Sequence, residues 1–104
     1  MSIPVEIGDL ASALDRCGSG YLLTTSDGRV KVVIVHPVAA DGVLELASPG
    51  TGTLANLAVN PIVTLVFPPL EQGGHSLLVD GTATVRGDDV VVEPSSAVLH
   101  RRAP

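Results

Sequence analysis

The chain has 104 residues, 45% of them hydrophobic but only 2% aromatic, and a net charge of −5. That length suits a single domain, and the acidic balance argues against a phosphate-neutralising face, so nucleic acid is not an expected partner. No apolar run nears the ~18 residues that a membrane-spanning helix needs, and no basic segment precedes a hydrophobic core at the N-terminus, so no membrane partner and a cytoplasmic location are expected.

The predicted elements begin with a helix over about 5–16. Ile3, Ile7, Leu10, Ala11 and Leu14 recur at helical spacing, and Gly18 is a plausible stop. Cys17 is the one cysteine, which leaves no intrachain disulfide and no cysteine-based metal site. A barrel is expected over about 20–93. Its first strand, 21–25, turns at Asp27-Gly28 into a Val-rich strand, 29–35, and Asp41-Gly42 joins that strand to a third, 43–47. Asp-Gly between β-rich runs is a hairpin signal, because glycine accepts the positive φ of a tight turn. A loop, 48–53, then leads into a short helix, 54–58, capped by Thr53 and ended by Asn60-Pro61. Strands follow at 62–67, 76–85 (with Gly81 marking a bulge) and 90–93. Pro94 is read as the start of a short C-terminal helix over about 95–102. Six short strands joined by hairpin-type turns point to an antiparallel barrel rather than a parallel sheet. A mean hydropathy of +0.43 in so small a chain implies either an apolar face covered by a second copy or an unusually apolar surface; subunit burial is the more economical reading, so a homodimer is expected.

The order of landmarks resembles a known family. The Thr24-Thr-Ser-Asp-Gly-Arg29 hairpin, the Val-rich strand and the second Asp-Gly hairpin come first. The segment Asn56-Leu57-x-x-Asn60-Pro61 then runs into Ile62–Phe67, and Val79-Asp80-Gly81-Thr82-Ala83 follows. Together these resemble the pyridoxamine 5′-phosphate oxidase-like, FMN-binding split barrels. The resemblance implies a six-stranded antiparallel split β-barrel, a two-fold dimer, and cofactor sites at the subunit interface. By position it places cofactor contacts on Lys31, His36, Leu46, Ala47, Thr51, Gly52, Thr53 and Ser76. The family's Ser-Arg-Lys phosphate grip falls on Thr51-Gly52-Thr53, so two of its cations are missing here. FMN is then expected to bind weakly, or a deazaflavin to take its place, with oxidoreduction of an unknown small molecule as the implied activity. The alternative is a split barrel that has lost its cofactor and serves as a non-catalytic binding module. Lys31 also reads as a solvated strand residue, and His36 as a strand-end histidine. Arg101 and Arg102 suit the negative end of a helix dipole, or a reach toward a partner's phosphate site. Three scattered histidines show no metal-ligand spacing, and no catalytic residue is assigned.

Overall fold

Alternation of Val, Leu and Thr along the chain fixes which side of each strand is buried, and the turns fix how the strands meet. The computed structural model describes residues 2–102. Strand β2 (Gly20–Ser26) returns as β3 (Arg29–Val35) through a turn in which Asp27 and Gly28 have φ of 53° and 74°. Positive φ at both central residues marks the hairpin turn whose twist matches that of the strands. The second Asp-Gly pair does the same at φ 51° and 82°, between β4 (Val38–Ala40) and β5 (Val43–Leu46). Strands β6 (Ile62–Phe67), β7 (Ser76–Arg86) and β8 (Asp89–His100) complete the run, while β1 (Ser2–Val5) pairs with the end of β8.

The order across the sheet is β3-β2-β6-β7-β8-β5-β4, antiparallel throughout. Its two free edges are therefore β3 and β4, which are consecutive in the chain and joined only by His36 and Pro37. Val35 and Val38 lie three residues apart, which spans at most ~11 Å. The sheet must curl until its edges meet, yet no ladder joins them. That is a split barrel.

Side chains pointing inward fill it. Leu22, Leu65, Phe67, Leu77, Val79, Leu44, Val90 and Val92 are almost fully buried, and Leu10 and Leu57 close the interior from two helices. Those are α1 (Leu10–Leu14), entered through a single 3-10 turn, and α2 (Thr51–Val59). Gly20 is obligatory here, since a Cβ on it would meet the Phe67 ring at 2.5 Å. Among the described residues no helix is long and apolar enough to cross a membrane.

Several expectations need correction. The N-terminal helix is shorter than 5–16, because Ser2–Val5 is drawn out as a strand against Ala97–His100. The C-terminal helix does not form, and 95–100 continue β8. Pro94 is tolerated because it lies between the β5 and β1 pairings, where no ladder partner needs its missing N–H on that side. Six expected strands become eight among the described residues, with β1 and β4 added. The strand 29–35 does not pair with 43–46. His36-Pro37 ends it, and β4 supplies the partner instead. Gly81 does mark a bulge: the β7–β8 register shifts between Asp80 and Gly81, leaving Ser95 unpaired.

Candidate functional site

Lys31 lies on the inward-alternating side of β3, opposite Thr24 of β2, but beyond the closed part of the core and exposed. Thr24 is buried, and its Oγ1 accepts a hydrogen bond of 3.1 Å from Asn56 Nδ2 of α2. This tie sets the helix across β2 and brings its first turn beside Lys31. A Cβ built on Gly52 would sit 3.2 Å from Lys31 Cε and 3.3 Å from Nζ. The lysine ammonium thus rests over the start of α2.

That helix end is open. Its N-cap is Gly50, at φ 109°, and no side chain caps the first turn. An α-helix leaves its leading N–H groups without partners and carries partial positive charge there, so the end attracts anions. Thr51 and Gly52 lie at the surface. Thr53 does not. Its side chain is fully buried, and Oγ1 has no hydrogen-bond partner. It packs inward with Leu57 one turn later rather than capping the helix.

The remaining sequence candidates fall into two other places. His36 ends β3, and its Nδ1 lies 3.1 Å from Ser19 Oγ. Together with Leu46 and Ala47 it lines a hollow of about 230 Å³ that also carries Glu45 and Asp89. Asp89 Oδ1 accepts the Ser48 N–H at 3.0 Å, which holds the chain after β5. Lys31 is five strand residues away from His36, or ~16 Å along β3. Ser76 opens β7 opposite His100 and lines a third cavity, with Arg101 and Arg102. The chain therefore brings together Lys31, Thr51 and Gly52, groups His36 with Leu46 and Ala47, and sets Ser76 apart.

Sequence reasoning did not find the grouping of Ser76 with the two arginines. Reading 95–102 as a helix hid it. Cys17 offers no nucleophile: burial raises its thiol pKa against a smaller lowering by Arg16, and Sγ donates to the Ala13 carbonyl at 3.4 Å.

The outer face of the barrel is the other distinctive surface. Val30, Val32 and Ile34 of β3 are 62%, 54% and 60% exposed, and Tyr21 beside Ile34 is 39% exposed. Leu23, Val66, Leu78 and Val98 continue this apolar band through the strand register.

No family model matches the chain. An uncharacterized protein of Mycobacterium bovis and another of Mycobacterium tuberculosis are each 39% identical over 116 aligned positions, covering 95% of this chain and 82% of theirs. Among solved structures, the FAD binding protein of Mycobacterium smegmatis superposes with a TM-score of 0.72 at 20% identity, covering 97% of this chain and all of that one. An FAD-binding protein of Mesorhizobium loti gives 0.72 at 16% identity, covering 96% and 99%. A Corynebacterium glutamicum protein provisionally named pyridoxamine 5′-phosphate oxidase gives 0.73 at 12% identity, covering 98% and 100%. At these identities the likeness is one of fold.

Proposed function

The chain belongs to one family with the two mycobacterial relatives and has the pyridoxamine 5′-phosphate oxidase-like split-barrel fold, and from that premise we propose that it binds a flavin-type cofactor, FMN or a deazaflavin. The observation that carries this reading is the lysine ammonium held over the uncapped end of α2. A phosphate set there would accept from Thr51 and Gly52 N–H groups and from Lys31 Nζ, a charge-assisted contact. The residues fit such a group, with one cation and a helix end in place of the family's richer grip. When bound, a flavin or deazaflavin supplies hydride chemistry, and the protein's part is to hold and orient it.

The apolar band over β3, β2, β6, β7 and β8 is the surface for a second copy of the chain. Its large exposed side chains are more than a monomer of this size keeps in water. Covering it would give a homodimer, and a phosphate held by Lys31 would lie at the covered edge, β3.

The test is a titration of the purified protein with FMN and with riboflavin, followed by flavin fluorescence. FMN should bind in about the micromolar range, and riboflavin, which lacks the phosphate, roughly tenfold or more weakly. Equal affinities would remove the phosphate from the reading. Binding of neither would leave the alternative, a cofactor-free binding module, which the absence of the Arg-Lys pair at Gly52-Thr53 favours.

A further inference from the structure

One cavity at an end of the barrel has no part in the phosphate contacts proposed at α2. It measures about 560 Å³ and lies at the sheet end opposite Lys31. Ser76 and His100, directly opposed in the β7–β8 register, form one wall; Gly73 and Gly74 form another; Arg101 and Arg102 follow from β8. Its charge sets it apart. The chain has 11 acidic residues against 6 lysines and arginines, yet among the described residues this cavity is lined by two arginines and no aspartate or glutamate. Each of the four other hollows described along the barrel includes at least one carboxylate: Asp41, Asp9, or Glu45 with Asp89.

The remaining lining suits an anion as well. Ser2 Oγ lies 3.2 Å from His100 Nδ1 and fixes that ring, leaving Nε2 to face elsewhere. Gly73 takes φ 80°, and a Cβ there would meet nothing within 4 Å, so open space lies beside the turn. The turn is held by Gly74 N–H donating to the Glu71 carbonyl at 3.0 Å. Guanidinium forks bind phosphoryl oxygens through paired N–H donors, and backbone N–H groups in a turn can add to them.

We propose that this cavity is a second anion site, which takes the phosphoryl group of a small ligand. Arg101 and Arg102 supply the charge, and the Ser76 hydroxyl is a neutral donor beside them. One chemistry has two sources here. It is either the distal phosphate of a dinucleotide cofactor anchored elsewhere in the assembly, or a separate phosphorylated small molecule. The site stands whether or not α2 holds a cofactor.

The experiment is a titration of the ¹⁵N-labelled full chain with inorganic phosphate and pyrophosphate, followed by amide shifts. Gly73, Gly74 and Arg101 should move on binding, and Lys31→Ala should leave those shifts as they were. Arg101→Gln/Arg102→Gln should raise the pyrophosphate dissociation constant roughly a hundredfold, and Arg102→Gln alone roughly tenfold, with the rest of the spectrum showing an intact barrel. FMN and FAD then separate the sources. FAD moving the cavity amides where FMN does not identifies the distal phosphate; cavity amides still free to take pyrophosphate with FAD bound identify a separate ligand. The proposal fails if millimolar pyrophosphate leaves the cavity amides unmoved, or if the arginine variants bind it as the wild type does.

Discussion

Thr53→Val is expected to make the protein more stable while leaving cofactor affinity alone. Thr53 stands in the first turn of α2, its side chain is wholly buried, and Oγ1 has no hydrogen-bond partner. A buried hydroxyl without a partner costs about 1–3 kcal/mol relative to one left in water. Valine has nearly the same shape, keeps the β-branch and its χ1 preference, and replaces the orphaned oxygen by a methyl that belongs among Leu57 and its neighbours. Allowing for imperfect fit of the methyl, the gain should be about 1 kcal/mol. In a domain of about 100 residues that is a rise in Tm of roughly 4–8 °C. Urea and thermal unfolding should be compared at matched protein concentration, because a dimer's midpoint depends on it. Because the side chain does not reach the surface shared by Thr51, Gly52 and Lys31, the FMN dissociation constant should stay as it was. A loss of stability would refute the reasoning by showing that the hydroxyl is satisfied. A loss of FMN affinity would refute the assignment of Thr53 to the interior.

Three further outcomes follow from the same geometry. Lys31→Ala should raise the dissociation constant for FMN by roughly ten- to a hundredfold and leave that for riboflavin unchanged, with a stability change of about 0.5 kcal/mol or less; equal losses for both ligands would assign Lys31 to the ring or the fold. Gly81→Ala should destabilise by about 1–3 kcal/mol in denaturant unfolding, since the new Cβ would sit 2.6 Å from the Glu93 carbonyl oxygen and 2.8 Å from Val92 Cγ1; wild-type stability would mean that the bulge relaxes freely. Ile34→Glu, on the outer face of β3, should halve the mass seen by light scattering from about twice 10.6 kDa, whereas an unchanged mass would move the dimer surface elsewhere.

Local signals carried the centre of the fold, and long-range pairing decided its ends. The Asp27-Gly28 and Asp41-Gly42 turns were legible because positive φ is a property of two residues and needs no partner. The Gly81 bulge was legible because a glycine inside a strand marks a bulge or bend, and the structure supplies the reason, since a side chain there would strike the backbone of β8. The C-terminal segment was not. Pro94-Ser-Ser looks like a helix start by itself, and only β7 on one side and β1 on the other draw Ala97–His100 into a strand. The helical spacing of Ile3, Ile7 and Leu10 likewise misled, since only Leu10 is buried and Ile3 lies in β1. Reading 95–102 as a helix also concealed the arginine-lined cavity, because Arg101 and Arg102 fall beside Ser76 only once β8 runs its full length.

The two cations missing from the expected phosphate grip have a geometric counterpart at Gly52. The space that a side chain at position 52 would enter is occupied by Lys31, whose Cε and Nζ lie 3.2 and 3.3 Å from where a Cβ would be. The positive charge at the helix start therefore arrives from the sheet instead of from the helix itself. Helix and lysine are brought into register by a part-buried hydrogen bond from Asn56 to Thr24, on the strand paired with β3. A helix end contributes about half an elementary charge, and a single flexible lysine adds one more, so the arrangement can hold a phosphate but holds it less firmly than a pair of fixed guanidinium and ammonium groups would. In a chain with 6 lysines and arginines, placing Lys31 at one end of the sheet and Arg101 with Arg102 at the other puts half of all its lysine and arginine side chains at the two proposed anion sites.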